Sequence, residues 1–322
     1  MTFTRRIVLA LGAATLAASA MSQQFPDRPL RFVVGYPPGQ NVDMMARAFA
    51  DAMSKELGQN IIVDNKAGAN GILGAQIVKS AKADGYTLLF GTSGQLAINQ
   101  SLYKKLPYDT LKDFHAVGIA GTAPLVLVAN PGFAPKNVQE LLAYVKARPG
   151  KVDFGSGGSG ITAHLAMELF QEAAGIKLNH IPYKGSPAAM NDLMGGQIPL
   201  MMEPLPSVLP YVKAGKLKAL AITSPRRTAS LPDVPTVAEQ LQKDFDVAAW
   251  SGIVVPADTP APVVAKLSEA FRAAGRTPAV QQMLANSGLE FPTMSTAEFQ
   301  VFMEAEVKKW ARAVQQSGAQ VD

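Results

Sequence analysis

The chain has 322 residues, 48% hydrophobic and 17% charged, with a formal charge of +5 and no cysteine. That length exceeds one ordinary core and suits two lobes of roughly 100 to 200 residues each, while the apolar share excludes general disorder. Absent cysteine rules out disulfides, thiolate nucleophiles, Cys-bound zinc and iron–sulfur clusters, and without a basic face interleaved with aromatics a nucleic-acid partner is excluded.

The chain opens as a secretory leader. Arg5-Arg6 is followed by the apolar run Ile7 to Ala18 and by Ala18-Ser19-Ala20, a small-x-small cleavage site, so residues 1–20 are expected to be removed on export. The apolar run is shorter than the roughly 20 residues of a spanning helix, which places the mature protein in the periplasm rather than in the membrane. A retained anchor is the competing reading. Losing Arg5 and Arg6 lowers the charge to about +3, a weak lure for anions.

Strand-like and helix-like runs then alternate, the pattern of an α/β architecture with largely parallel sheets. Arg31 to Val34 reads as a strand, Gly35 to Asn41 as a glycine loop, and Val42, Met45, Ala46, Phe49 and Met53 recur at helical spacing. Met44, Met45 and Met53 read as core filling. A strand at Ile61 to Val63, a glycine-punctuated turn at residues 66–71, a helix at Ile72 to Ala81 and a strand at Tyr86 to Phe90 follow. Ligands sit beyond the carboxyl ends of strands in such sheets, so the loops at 35–41 and 91–95 should rim one cleft.

Around Ala123 to Asn130 the chain is expected to cross into a second lobe. There the units are helix Val138 to Lys146, strand Val152 to Phe154, loop Gly155 to Gly160, a helix through His164, Leu165, Met167 and Leu169, and strand Lys177 to Ile181. Loop Pro182 to Ser186, helix Pro187 to Met194, strand Leu200 to Met202, helix Pro206 to Lys213 and strand Leu217 to Thr223 complete it. The apolar stretch Val247 to Val255 reads as a return crossing. Three helices, Pro262 to Ala274, Pro278 to Ala285 and Thr296 to Gln316, then pack on the first lobe. The division is therefore 21–124 plus 248–322 for lobe 1 and 125–247 for lobe 2.

Both glycine loops end where a helix begins. A helix start leaves unpaired N–H groups and about half a positive charge, so it holds a carboxylate or phosphate without a basic side chain. If the loops face each other, the binding site lies between them. No cofactor or metal is expected: Gly155-x-Gly157-x-x-Gly160 matches the dinucleotide fingerprint, but Asn179 and His180 stand where a ribose-binding acid is required. His115, His164 and His180 are too dispersed for a local metal pair, and no P-loop occurs. No Gly-x-Ser-x-Gly flanks Ser93, Ser156 or Ser159. An exported serine hydrolase using Ser159 and His164 stays open as a rival.

Single residues carry two readings each. Asp43 is a first-turn carboxylate worth about 0.3 to 1 kcal/mol to its helix, and it braces the loop rather than meeting the ligand. Tyr36 is either a strand-end core residue or a flat surface against a ligand. His164 is a buried residue bonding a backbone carbonyl, or else a base. Lys184 flanks a turn or pairs with an acidic ligand.

The stretches Tyr36-Pro37-Pro38-Gly39 with Asp43 and Ala46-Arg47, Asn65 to Gly71, Ala83 to Leu89, and Leu102 to Asp109 resemble the solute receptors of the tripartite tricarboxylate transporter system, the Bug family. Gly155 to Gly160 with His164-Leu165-Ala166, Pro182 to Ser186, Leu231 to Thr236 and Pro256 to Pro260 extend the resemblance over essentially the whole mature chain. It implies a periplasmic binding protein type II fold, two α/β lobes with a central ligand cleft and two crossover hinges. It also implies a monomer that closes over a small organic acid and delivers it, unchanged, to a membrane permease. The implied ligand contacts are Tyr36, Pro38, Gly39, Gln40 and Asn41, then Ser93, Gly94 and Gln95, then Ser159, Gly160, Ile161 and Thr162, with Glu203. Asp43, His164, Tyr183 and Lys184 are implied supports. Three departures from the family pattern, Gln40 for a second glycine, Leu96 for a histidine and Glu203 for an aspartate, argue against citrate-like ligands and for a monocarboxylate or dicarboxylate with an apolar or aromatic body. A ligand-sensing subunit of a signalling system is a further reading of the same sequence.

Overall fold

The computed structural model describes residues 25–321; the leader at 1–20 lies outside them. The first units are β1 (Leu30–Val34), α1 (Asn41–Leu57), β2 (Ile61–Asn65), α2 (Ile72–Lys79) and β3 (Thr87–Thr92), and β1 pairs in parallel with both β2 and β3. Val42, Met45, Ala46, Phe49 and Met53 are all buried, so the apolar stripe of α1 faces the sheet. Segment 91–95, expected to be a loop, is different in kind. β3 runs on to Thr92, and the chain turns at once into a π-helical turn, Gly94–Ile98, that leads into a short helix ending at Leu102.

A strand unforeseen in the sequence organises the molecule. β4 (Phe114–Ala129) is 16 residues long, and its Gly118, Gly121 and Pro124 disguise it as a broken segment. Each breaker has a tertiary cause. A Cβ at Gly118 would lie 2.3 Å from the Phe271 ring, and one at Gly121 would lie 2.8 Å from the Met45 side chain, so glycine lets two helices pack closely on the strand. The register also shifts at both glycines. Pro124 stands where β4 changes partners: up to Pro124 it pairs antiparallel with β9 (Ala248–Pro256), and from Leu125 it pairs with β7 (Leu200–Pro204) and β8 (Lys218–Ile222). The missing N–H costs the ladder least at that exchange.

Further units are α3 (Val138–Lys146), β5 (Asp153–Ser156), α4 (Thr162–Ala174), β6 (Asn179–Pro182), α5 (Ser186–Met194), α6 (Leu205–Lys213), α7 (Ala261–Gly275), α8 (Pro278–Asn286) and α9 (Thr296–Ser317), besides two short helices at Thr110–Asp113 and Val237–Leu241. Among the described residues the nine strands form one continuous sheet in the order β2-β1-β3-β9-β4-β7-β5-β6, with β8 on β4. α9, expected on the first lobe, packs on β4 and the 94–102 segment, and it also packs on α4, where Leu165, Leu169, Trp310 and Val314 share one buried cluster.

Candidate functional site

The first glycine loop is held by one carboxylate. Asp43 is buried, and its Oδ2 accepts from Gly39 N–H at 2.8 Å and from Arg47 Nε at 3.0 Å, while its Oδ1 accepts from Asn65 Nδ2 at 2.9 Å. Asn65 Nδ2 also donates to Tyr36 O at 3.0 Å, and Arg47 donates to Asn65 Oδ1 at 3.0 Å. Burial alone would raise the Asp43 pKa, but bonds from Arg47, Gly39 and Asn65 outweigh it and hold the group below the ordinary carboxylate range. Above the same loop, Tyr36 Oη and Thr92 Oγ1 lie 3.0 Å apart.

The second loop is shaped by its own side chains. Ser156 Oγ accepts from Gly158 N–H at 3.2 Å and lies 2.7 Å from His180 Nε2, and His164 Nδ1 accepts from Gly160 N–H at 3.0 Å. His164 was expected to bond a backbone carbonyl; it takes an amide N–H instead, which puts its proton on Nε2. The two imidazoles stack at 3.8 Å between centroids. Burial, and then the neighbouring His164, push the His180 pKa down to about 4. A Cβ on Gly157 would lie 2.5 Å from Ser186 N and 3.0 Å from Gly185 C. Gly157→Ala is therefore expected to displace this loop and to cost about 1 to 3 kcal/mol, read as a lowered thermal midpoint.

Between these loops lies a cavity of 530 Å³. Three helix starts reach it: Gln40, Asn41 and Val42 at α1, Gly160, Ile161 and Thr162 at α4, and Pro204, Pro206 and Ser207 at α6. None of the three has a side-chain cap. Ser93 and Gly94, at the π-helical turn, join them. Met44, Met45, Ile98, Trp250 and Leu289 supply apolar wall, and Asn70, Ser251, Asn286 and Ser287 supply neutral polar groups. Among the described residues no Lys, Arg, His, Asp or Glu lines it. Any anion bound there meets backbone dipoles and amide or hydroxyl groups rather than a cation.

Of the sequence-derived contacts, Tyr36, Gln40, Asn41, Ser93, Gly94, Gly160, Ile161 and Thr162 come together on this cavity, and five do not. Pro38, Gly39 and Ser159 are exposed and do not line the cavity, and Gly39 has already committed its N–H to Asp43. Gln95 is fully buried for a steric reason. Its amide fills the space that glycine leaves at 35 and 71, where a Cβ would come within 2.4 Å and 2.5 Å of it, and it donates to Gly71 O at 2.7 Å. Glu203 is 2% exposed behind the wall, with Oε1 accepting from Ser186 Oγ at 2.8 Å, and burial pushes its pKa up to about 7. Among the supports, Tyr183 Oη donates to Asp192 Oδ2 at 2.7 Å and Lys184 is exposed, both away from the cavity.

Sequence reasoning missed the α6 start, Asn70, the Trp250–Ser251 pair and the 286–289 turn. The α6 start carried a readable signal, a strand running directly into Pro204-Leu205-Pro206, which is the same strand-to-helix grammar without glycine. Asn70 lies in the glycine-punctuated turn at residues 66–71, which reads as a helix entry and not as cavity wall; for Trp250–Ser251 and the 286–289 turn no local signal exists.

Residues 45–319 match the family described as the tripartite tricarboxylate transporter family receptor. The chain is 37% identical over 312 residues to protein BugT of Bordetella pertussis, covering 97% of this chain and 96% of that one. Among solved structures it resembles the periplasmic binding protein BugD, with a TM-score of 0.74, 35% identity, and 92% and 99% of the two chains covered. It also resembles an R. palustris protein solved with adipate, with a TM-score of 0.77, 31% identity, and 92% and 99% covered. The expected two-lobe binding-protein fold is thus borne out. On this combination of whole-length similarity and shared architecture, the chain belongs to the tripartite tricarboxylate transporter receptor family.

Proposed function

We propose that this protein captures a small organic acid in the periplasm and hands it, chemically unchanged, to a membrane permease of the tripartite tricarboxylate type. The observation that carries this is the convergence of the uncapped starts of α1 and α4, with the dipole of α6 and the Ser207 N–H beside them since Pro204 and Pro206 carry none, on a cavity without charged side chains. Residues 21–124 with 248–322 and residues 125–247 act as the two lobes, closing about the β4 and β9 crossings, and the protein works as a monomer. Hydrogen bonds to a charged group are worth about 1.5 to 3 kcal/mol each. Three or four of them, with lobe closure, reach the roughly 8 kcal/mol of a micromolar complex after ordering costs.

The apolar walls favour a monocarboxylate or dicarboxylate with an apolar body, and the adipate carried by the R. palustris relative is of that class. A hydrolytic role finds no support in the geometry of its two candidate residues. Ser159 is exposed, and the unprotonated His164 nitrogen is already taken by Gly160.

A thermal-shift screen over linear, hydroxylated and aromatic organic acids tests the reading. A ligand at 100 times its dissociation constant adds about 2.7 kcal/mol to stability, a shift of roughly 4 °C for a chain of this size. Silence across the whole panel would sink it. Uptake of the responding acid in a strain lacking the protein separates transport from sensing: unchanged uptake would favour a signalling role.

A further inference from the structure

Behind the cavity wall a single buried carboxylate gathers partners that the binding site does not explain. Glu306, on α9, is 2% exposed. Its Oε2 accepts from the indole Nε1 of Trp250 and from that of Trp310, each at 2.8 Å. Its Oε1 pairs with the Lys309 ammonium, which also donates to the backbone oxygen of Asp246 at 3.0 Å. Trp250 lines the ligand cavity and belongs to β9; Asp246 lies two residues before that strand begins. Trp310 does not line the cavity. Phe299 and Phe302, from the same helix as Glu306, meet the Trp250 ring edge-on at 5.8 Å and 5.5 Å.

Beside this network a second cavity of 760 Å³ is lined by α9, by Leu169, Glu172 and Ala173 of α4 and by the 244–247 segment. Glu172, Asp244 and Asp246 face it from one side, and Lys309 and Arg312 face it from α9. Opposite charges across an open gap draw the helix towards that side without locking it, because exposed pairs are individually weak. The buried link is the stiff one. A bond from an indole N–H to a carboxylate is charge-assisted, and two donors on one oxygen compete for its electron density, so a change at one is felt at the other.

We propose that Glu306 is a positioning residue which fixes Trp250 as a cavity wall and couples the filling of the cavity to α9, with Trp310 as the distant end of the link. The ligand half of the test rests on the organic-acid reading; the ligand-free half does not. The chain has 2 tryptophans, so the nitrogen-15 spectrum of the protein carries only their two indole resonances, assigned with Trp310→Phe.

Without ligand, Glu306→Gln keeps the shape but removes the charge. Both indole protons are expected to move upfield and to exchange with solvent at least about tenfold faster. An unmoved Trp250 resonance would overturn the proposal. Lys309→Met, which leaves both indole donors in place but removes the counter-charge on Oε1, is expected to move both resonances less than Glu306→Gln does; loss of both indole signals there would equally overturn it.

With saturating adipate, or whichever acid the thermal screen selects, both indole resonances are expected to move in the wild type and only that of Trp250 in Glu306→Gln. Movement of Trp250 with a stationary Trp310 in the wild type would refute the coupling. If no acid moves either resonance, the organic-acid reading fails, and the ligand-free variants still decide the role of Glu306.

Discussion

Asp43→Ala is expected to abolish the thermal response to organic acids and to lower stability by about 2 to 4 kcal/mol, several times the first-turn effect that the sequence suggests. The difference lies in the partners. Removing the carboxylate leaves Gly39 N–H and Asn65 Nδ2 without their acceptor beneath the α1 start, and leaves Arg47 without its counter-charge. The Arg47 side chain is 53% exposed and re-solvates, which keeps the loss below that of a fully buried pair. Binding suffers more than folding, because the N–H groups of residues 40–42 point correctly only while the loop is braced. Asp43→Asn, with one acceptor oxygen left, should fall between wild type and alanine. Because the folded pKa is depressed, the contribution of Asp43 is fully present above the ordinary carboxylate value of 3.8 and is lost as pH falls through the lower folded value. Urea titrations at pH 7 and pH 3 check this; an alanine variant that still responds to the acid would show that the brace is dispensable.

The second large effect is a compensation between two buried groups that breaks when either is removed. Burial lifts the Glu203 pKa from 4.5 to about 7. The folded state then binds more protons than the unfolded one across that interval, and stability falls with rising pH. His180 is the reverse: its pKa drops from 6.5 to about 4, the unfolded state binds more protons, and stability rises with pH. Between pH 4.5 and 6.5 the two slopes, each about 1.4 kcal/mol per pH unit at full effect, oppose each other. The partial exposure of the His180 ring makes its slope the shallower.

Glu203→Gln should therefore be more stable than wild type at pH 8, by up to about 3 kcal/mol, and should lose stability steeply below pH 6.5 as the histidine slope is unmasked. His180→Gln should show the opposite profile. Unfolding midpoints in urea from pH 4.5 to 8 provide the measurement, and parallel profiles for wild type and Glu203→Gln would refute the compensation.

The alternation of strand and helix, the two glycine loops and the apolar face of α1 were legible because each depends on neighbours within about four residues along the chain. Eight of the thirteen residues first assigned to the ligand line the cavity for the same reason: a strand that runs into a helix start exposes its amides wherever the fold puts it. β4 was hidden because its glycines and proline obey contacts with Phe271, Met45 and a change of strand partner, all distant in sequence. Gln95 and Glu203 look alike from their neighbours, polar residues at strand ends. Only the packed structure shows that one plugs two glycines and the other sits behind the wall.

By itself, then, the amino-acid sequence determined where backbone amides would be left unpaired, since helix starts, glycines and prolines act locally. Which of those amides meet around one cavity, and that Glu306 on the last helix would hold Trp250 at its wall, was decided by tertiary packing alone. Hydrogen bonds between residues 56 positions apart leave no periodic trace in the chain; they exist only once the sheet has brought both ends together.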